Sequence, residues 1–218
     1  MRKNSPPPGP GGEIKNLYFS TSGESIPPSR ERALRVEGCA LLVVDMQDFF
    51  LDRSSHASVF DPGDVERNVK RLIGSFRGAG IPVLFTRHIQ RGGEPLGSMG
   101  RWWRDPLMGS SRFSKLRIEP AEGEVVIEKS TYDAFHGTDA EGILNEMGVK
   151  EVVIAGVMTH LCVETTARSS FVRDFDVTVV HDACGSVSRD LHNSSLKIMA
   201  HGFAVLKSTD RIIGEVSR

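Results

Sequence analysis

The stretch that decides the fold runs from Val152 to Ala167 and reads Val-Val-Ile-Ala-Gly-Val-Met-Thr-His-Leu-Cys-Val-Glu-Thr-Thr-Ala. Its apolar, β-branched first part predicts a buried strand that ends at Gly156. Its second part has the spacing of a helix whose apolar face would consist of Val163, Ala167 and Phe171. We expect Thr159 to be the N-cap of this helix, because its hydroxyl can accept a hydrogen bond from a free amide in the first turn.

Cys162 lies three residues after Thr159, inside the first turn of the predicted helix. The positive end of a helix favours a thiolate over a thiol. A strand-to-helix switch at the carboxyl edge of a parallel sheet is also where α/β folds place their chemistry. The other interpretation of a lone cysteine is a small, buried apolar residue. Residues elsewhere in the chain have to decide between the two.

The composition bounds the class of protein. The chain has 218 residues, a formal net charge of −1 and 25% charged residues. This length suits one α/β domain, and the balanced charge predicts neither a nucleic-acid partner nor a membrane surface. No apolar run is long enough to span a bilayer, and the amino terminus lacks the apolar stretch of a signal peptide. Three cysteines are too few for a disulfide framework, so we expect a reducing, cytoplasmic compartment.

The chain divides into a tail and one domain. Residues 1–30 are rich in proline and glycine and predict a tail that is disordered or docks through Leu17-Tyr18-Phe19. Residues 31–218 predict a single domain. A long segment without periodicity, 87–114, is expected to be a lid, since loops of this length in compact domains are usually functional.

Strand and helix patterns alternate along the domain. The predicted strands are 40–44, 81–85, 125–128, 152–156, 177–180 and 203–206. The predicted helices between them are one from 64 to 79 capped by Asp64, one to 147 capped by Asp139, one that begins after Thr159, and one from Ser188 to about 201. Residues 46–62 are predicted as a loop. This alternation predicts an α/β fold: a three-layer α/β/α, doubly wound sheet of about six mainly parallel strands.

Three of these predicted strands end on or near a reactive residue. Asp45 and Lys129 follow their strands directly, and Cys162 comes just after its strand. Each has an ordinary structural interpretation, as a turn residue, a solvated edge residue and a core residue respectively. Because the carboxyl ends of parallel strands share one edge of the sheet, we expect the three to converge there.

Five motifs, in this order, resemble one family. They are Leu42-Val43-Val44-Asp45-Met46-Gln47, Val126-Ile127-Glu128-Lys129-Ser130, Ala134-Phe135-His136-Gly137-Thr138, Gly156-Val157-Met158-Thr159-His160-Leu161-Cys162-Val163 and Asp182-Ala183-Cys184. Together they are similar to those of the isochorismatase-like cysteine hydrolases, a group that includes isochorismatases, nicotinamidases and N-carbamoylsarcosine amidohydrolases. The resemblance covers about residues 33–206.

The resemblance implies a mechanism and its residues. Asp45, Lys129 and Cys162 would form a catalytic triad, with backbone amides of Met158 and Cys162 stabilising an oxyanion and a cis peptide joining Val157 to Met158. It implies a small-molecule substrate, no organic cofactor, and a homodimer or homotetramer. Lys129 is expected to lower the pKa of the thiol, and Asp45 to accept its proton.

One departure from the family concerns metal. Nicotinamidases of this family hold a metal with an Asp-x-His motif after the second strand, whereas this chain has Thr86-Arg87-His88 there. His56 and His136 do not complete a ligand set. We therefore predict no metal, which argues against a nicotinamidase, and expect a structural or substrate-facing role for His88.

Candidates for the substrate pocket carry less specific signals. They are Gln47, His88, Trp102, Trp103, Phe135 and His160. The two tryptophans suit a lid or a subunit interface equally, His160 suits the pocket or an interface, and Phe135 suits the pocket wall or the core. Arg87, Arg101 and Arg104 are candidates for binding a substrate carboxylate, although most of them are expected at the solvated surface.

The sequence thus predicts an enzyme that hydrolyses a small C–N bond, amide or carbamoyl, through a thioester on Cys162. Two alternatives remain. One is an isochorismatase-type vinyl ether hydrolase, which uses the aspartate without needing the thiol. The other is a non-catalytic protein that binds a small molecule.

Overall fold

A computed structural model of the chain describes residues 32–90, 92–93 and 95–218. The predicted tail, residues 1–30, lies outside the described residues. None of the helices in the described part combines the length and the apolar character needed to cross a membrane.

Six strands form one parallel sheet. They are β1 (Cys39–Val44), β2 (Val83–His88), β3 (Val125–Lys129), β4 (Glu151–Val157), β5 (Asp176–Gly185) and β6 (Val205–Lys207). Their order in the sheet is β3-β2-β1-β4-β5-β6, and every neighbouring pair is parallel. The predicted doubly wound parallel sheet is confirmed, and β4 and β5 extend beyond their predicted carboxyl ends.

Helices cover both faces of the sheet, because the strands are apolar on both sides. In β1, Leu41 and Val43 face one apolar cluster, whereas Leu42 and Val44 face the other. The helices are α1 (Asp48–Leu51), α2 (Pro62–Gly78), α3 (Gly97–Trp103), α4 (Ala140–Glu146), α5 (Glu164–Phe171), α6 (Arg189–Gly202) and α7 (Thr209–Val216). Helices α2 and α7 pack on the first face, and α4, α5 and α6 on the second.

Several element boundaries differ from prediction. Helix α2 begins at Pro62 with Asp61 as its N-cap, so Asp64 is an exposed residue of the first turn and not the cap. The predicted loop after β1 contains α1, and the predicted lid contains α3 and a 3-10 turn at Arg112–Ser114. Helix α7 was not predicted. Ser188 does cap α6, by accepting a hydrogen bond from the Leu191 amide at 3.2 Å.

Strands β1 and β4 are parallel neighbours at the centre of the sheet. The order in which successive strands are added to the sheet reverses between them, because β2 and β3 lie on one side and β5 and β6 on the other. The backbones of β1 and β4 approach closely at Gly156, whose φ is +126°; a Cβ there would lie 2.1 Å from the Val44 carbonyl oxygen. Only glycine fits such a contact. In doubly wound sheets, ligands bind at this switch point, beyond the carboxyl ends of the strands. The fold therefore points to the ends of β1 and β4 as the site.

Candidate active site

Asp45, Lys129 and Cys162 converge at the carboxyl edge of the sheet. The ammonium nitrogen of Lys129 lies 2.6 Å from Oδ2 of Asp45, and both side chains are fully buried. The sulfur of Cys162 lies within 4.8 Å of an Asp45 carboxylate oxygen, and the thiol interacts electrostatically with both Asp45 and Lys129. Residues separated by as many as 117 positions in the chain thus form one polar cluster inside an apolar core.

Asp45 is held by its neighbour on β2. The hydroxyl of Thr86 lies 2.5 Å from Oδ1 of Asp45 and accepts a hydrogen bond from the Asp45 amide at 3.0 Å. Asp45 itself has a φ of 48°, which few non-glycine residues adopt. With Lys129 on Oδ2 and Thr86 on Oδ1, the carboxylate has a fixed orientation.

The segment that carries Cys162 begins with a π-helical turn, Thr159–Val163, followed by α5. Its N-cap is Met158, and the Val157–Met158 peptide bond is cis. The prediction that Thr159 caps the helix is wrong. Its hydroxyl instead lies 2.8 Å from Nδ1 of His192, because Thr159 is already inside the first turn.

The apolar face predicted for this helix is present only in part. Val163 and Ala167 are fully buried, but Phe171 is half exposed. Phe171 is the last residue of α5.

Cys162 is a neutral thiol at physiological pH. Burial raises its pKa to about 12, and the carboxylate of Asp45 acts in the same direction, while Lys129 lowers it. The expected thiolate is therefore wrong, because desolvation of the charged form outweighs the attraction of one ammonium group. Lys129 stays charged: burial opposes its charge, but the interactions with Asp45 and Cys162 raise its pKa.

A cavity of about 210 Å³ opens beside Cys162. Most of its walls are apolar or aromatic side chains; the aromatic ones are Phe49, Phe50, Trp103 and Tyr132. Cys162 lines this cavity, whereas Asp45 and Lys129 do not. The size suits a small organic molecule.

Three histidines line the cavity, His56, His88 and His160, and the pKa values of the last two are lowered. Burial, followed by the charge of Lys129, lowers the pKa of His88 to about 4. Burial also lowers the pKa of His160, whose Nδ1 lies 2.7 Å from the Ser186 hydroxyl. The predicted pocket positions of His88 and His160 agree with this lining.

Of the two tryptophans and Phe135, which were also predicted for the pocket, only one tryptophan lines the cavity. Trp103 lines the cavity, and its indole nitrogen donates to the Tyr132 hydroxyl at 2.5 Å, whereas Trp102 is 76% exposed and does not line it. Phe135 is a core residue, stacked on Phe175 with the ring centroids 6.2 Å apart. An interface role for the exposed tryptophan stays a prediction.

Gln47 is buried and committed to the backbone, and it does not line the cavity. Its amide nitrogen donates to the carbonyls of His88 and Ser114, and its oxygen accepts from the His88 amide. These three bonds tie the chain after β1 to the end of β2 and to the end of the lid segment. Gln47 therefore supports the cavity from outside.

The arginines considered for a substrate carboxylate do not line the cavity either. Arg87 forms an ion pair with Glu128 across β2 and β3, and Arg101 and Arg104 are exposed on and after α3. No lysine or arginine is among the described residues that line the cavity. Its acidic lining residue, Asp105, pairs with His56 at 2.8 Å.

A metal does not suit this cluster. Asp45, His88 and Cys162 do bring one potential ligand atom each within 4.8 Å of one another. However, both carboxylate oxygens of Asp45 are already engaged, one of them by the ammonium of Lys129. That fixed positive charge repels a divalent cation, so these residues do not fit a metal site.

Sequence reasoning missed several residues of the site, among them Thr86 and Tyr132. Thr86 orients Asp45, and Tyr132 lines the cavity beside Cys162 while accepting from Trp103. Tyr132 follows Lys129 by three residues, so its position just past a strand end was a usable signal. Thr86 carries no such signal, because a threonine inside a strand is ordinary.

Comparisons with known proteins show the family of this chain. The isochorismatase domain matches residues 39–211 of the chain. The chain belongs to the isochorismatase family. Nicotinamidase 3 of Arabidopsis thaliana is 36% identical over 190 residues, which cover 84% of this chain and 91% of that protein. The resemblance found in the sequence is therefore confirmed.

Solved structures of isochorismatase-family proteins share the fold. A cysteine hydrolase from Pseudomonas syringae superposes with a TM-score of 0.81 at 25% identity, covering 87% of this chain and 97% of that one. The N-carbamoylsarcosine amidase of Thermoplasma acidophilum gives a TM-score of 0.69 at 26% identity, covering 78% and 99% of the two chains. The chain is an isochorismatase-family cysteine hydrolase.

Proposed function

We propose that this protein hydrolyses a small, uncharged amide or carbamoyl C–N bond through a thioester on Cys162. The observation that carries the proposal is the contact of the Cys162 thiol with the buried Asp45–Lys129 pair at the wall of an apolar cavity. A nucleophile beside a base that is itself held in a fixed orientation is the arrangement that covalent catalysis uses.

The first half of the reaction forms the thioester. The sulfur of Cys162 attacks the carbonyl carbon while its proton moves to the Asp45 carboxylate, which suits a thiol that is neutral before attack. The carbonyl π electrons move to oxygen and give a tetrahedral intermediate. As this collapses, the C–N bond breaks and Asp45 returns the proton to the leaving nitrogen, which departs as ammonia or an amine.

The second half releases the acid. Asp45 accepts a proton from water as the water oxygen attacks the thioester carbon. The C–S bond then breaks and the proton returns to the sulfur, which restores Cys162. Lys129 remains charged throughout and stabilises the negative charge that moves between sulfur and carboxylate. Backbone amides of Met158 and Cys162 would stabilise the oxyanion.

The cavity supports an uncharged substrate. Its described lining contains no lysine or arginine. Of its three histidines, His88 and His160 have lowered pKa values, and His56 is paired with the lining carboxylate of Asp105. A carboxylate in such a place would lose its hydration without gaining a cationic partner. This loss costs on the order of several kcal/mol. Isochorismate, the dicarboxylate substrate of the vinyl ether reaction, is therefore disfavoured relative to a neutral amide.

The test compares substrates that differ in charge. The full chain is assayed with nicotinamide and benzamide as neutral amides, with N-carbamoylsarcosine as an anionic carbamoyl compound, and with isochorismate. We expect turnover of a neutral amide, an acyl-enzyme adduct on Cys162 in intact-mass spectra, and loss of both in Cys162→Ala. Nicotinamide belongs in the panel because a relative bears the name nicotinamidase.

Two results would contradict the proposal. Turnover of isochorismate that Cys162→Ala retains would establish the vinyl ether reaction. Binding of a neutral amide without turnover or adduct would favour the non-catalytic binding protein.

A further inference from the structure

Helix α6 contacts the π-helical turn of Cys162 at two atoms of Thr159. The Thr159 hydroxyl lies 2.8 Å from Nδ1 of His192, and the Thr159 carbonyl oxygen accepts from the Ser195 hydroxyl at 3.1 Å. The Ser195 hydroxyl also lies 2.6 Å from Oε2 of Glu164, the first residue of α5. Thr159 is fully buried and Ser195 is 2% exposed.

Thr159 is the first residue of the π-helical turn that carries Cys162. It follows Met158, and both Leu161 and Val163 donate their amides to the Met158 carbonyl. The turn of Cys162 is π-helical, a conformation that is rare and that occurs mostly at functional sites. Because a π turn is less regular than an α-helix, contacts from outside it contribute more to its geometry.

We propose that His192 is a positioning residue, which fixes the turn through Thr159 and thereby places the sulfur of Cys162 against Asp45 and Lys129. The kinetic test of this inference rests on the proposed function, whereas the alkylation test does not. His192 does not line the cavity, so it has no contact with substrate there. Its action on the reaction passes through Thr159.

The surroundings of His192 suit this role. Its ring packs edge-on against Phe60, with the centroids 6.3 Å apart. Burial, together with the charges of His181 and Arg189, lowers its pKa to about 4. The imidazole therefore keeps one protonation state near neutral pH, and its hydrogen bond to Thr159 is unchanged there.

The test removes the hydrogen bond from either side and then restores it. Thr159→Val and His192→Phe remove it, while Thr159→Ser and His192→Asn keep a polar atom near the same place. Lys197→Ala, at an exposed position of α6, is the matched control. Two readouts are taken on the full chain: hydrolysis of a neutral amide, and the rate at which iodoacetamide alkylates Cys162, which needs no substrate.

We expect the removing variants to lower kcat and the alkylation rate about tenfold while KM changes less than about twofold, since small displacements of a reacting atom are costly. The double variant should lose no more than either single one, because both remove the same bond. Thr159→Ser and His192→Asn should recover most of the activity, and Lys197→Ala should match the wild type.

The outcomes separate this inference from the proposed function. If a neutral amide is hydrolysed and Thr159→Val and His192→Phe keep the wild-type kcat, the positioning role is wrong and the function stands. If no amide is hydrolysed but alkylation still slows in these variants, the positioning role stands and the function is wrong. If His192→Phe lowers the melting temperature while kcat and the alkylation rate of the folded protein stay at the wild-type values, His192 is a structural residue only.

Discussion

Lys129 and Asp45 form an ion pair of 2.6 Å in which neither side chain is exposed to solvent. The two charges cancel, so the site presents a neutral core to the Cys162 thiol. A buried pair of this kind is costly to break, because removal of one partner leaves the other charge without compensation.

The first prediction follows from that pair. Asp45→Asn and Lys129→Met should each lower the free energy of unfolding by about 3–5 kcal/mol and abolish hydrolysis. Lys70→Ala, which breaks the exposed pair with Glu66, is the control and should change stability by less than about 1 kcal/mol. Urea unfolding at pH 7 measures both, and equal effects at the two sites would contradict the prediction.

The second prediction concerns the pH dependence of Cys162 alkylation. Because burial raises the thiol pKa to about 12, the thiolate fraction should rise about tenfold per pH unit up to about pH 10, without a plateau near 8.5, the value for a free thiol. Lys129→Met removes a group that lowers this pKa, so the rate should fall further. Iodoacetamide labelling with peptide mapping gives the rates; a plateau below pH 8 would establish an activated thiolate.

The third prediction is a loss of stability in alkali. The pKa values of Cys39, Cys162 and Cys184 are raised from 9.0 to about 11, 12 and 12, chiefly by burial. Unfolded thiols ionise near their ordinary pKa and folded ones do not, so stability is full below about pH 9 and falls as the pH rises above it. Melting temperatures from pH 7.5 to 10.5 test this, and Cys39→Ala/Cys184→Ala should show a shallower decline.

The fourth prediction concerns the contact between β4 and β1. Gly156→Ala would place a Cβ 2.1 Å from the Val44 carbonyl oxygen at a φ of +126°, so stability should fall by about 3 kcal/mol or more. Gly74→Ala, inside α2 with open space around its Cβ position, is the control and should raise stability by about 0.5–1 kcal/mol. Thermal unfolding compares the two, and a neutral Gly156→Ala would show that the strands can separate freely.

The fifth prediction distinguishes the two adjacent tryptophans. Trp103→Phe removes the hydrogen bond to Tyr132. It should raise KM for a neutral amide about three- to tenfold, which corresponds to the net free energy of one hydrogen bond. Trp102→Phe should leave KM unchanged, because Trp102 does not line the cavity. Steady-state kinetics on both variants are the measurement. A larger effect at Trp102 would indicate that a neighbouring subunit brings this residue to a site.

The candidate triad was accessible to sequence reasoning, and the environment of its thiol was not. Asp45, Lys129 and Cys162 lie at or near the ends of apolar strands, and parallel strands bring such ends to one edge. The pKa of Cys162 depends on how much solvent and charge surround its sulfur. A first-turn position suggested a thiolate, but burial reversed the direction.

The alternation of strands and helices, the parallel sheet and the family could be predicted from the chain alone, because each rests on local periodicity or on motifs of adjacent residues. The roles of Gln47 as a backbone support and of Phe135 as a core residue, and the difference between Trp103 and Trp102, depend on the folded structure. The same holds for Thr159, whose partner His192 lies 33 positions away. Contacts of this kind depend on how whole elements pack, and the packing of distant elements leaves no periodic trace in the chain.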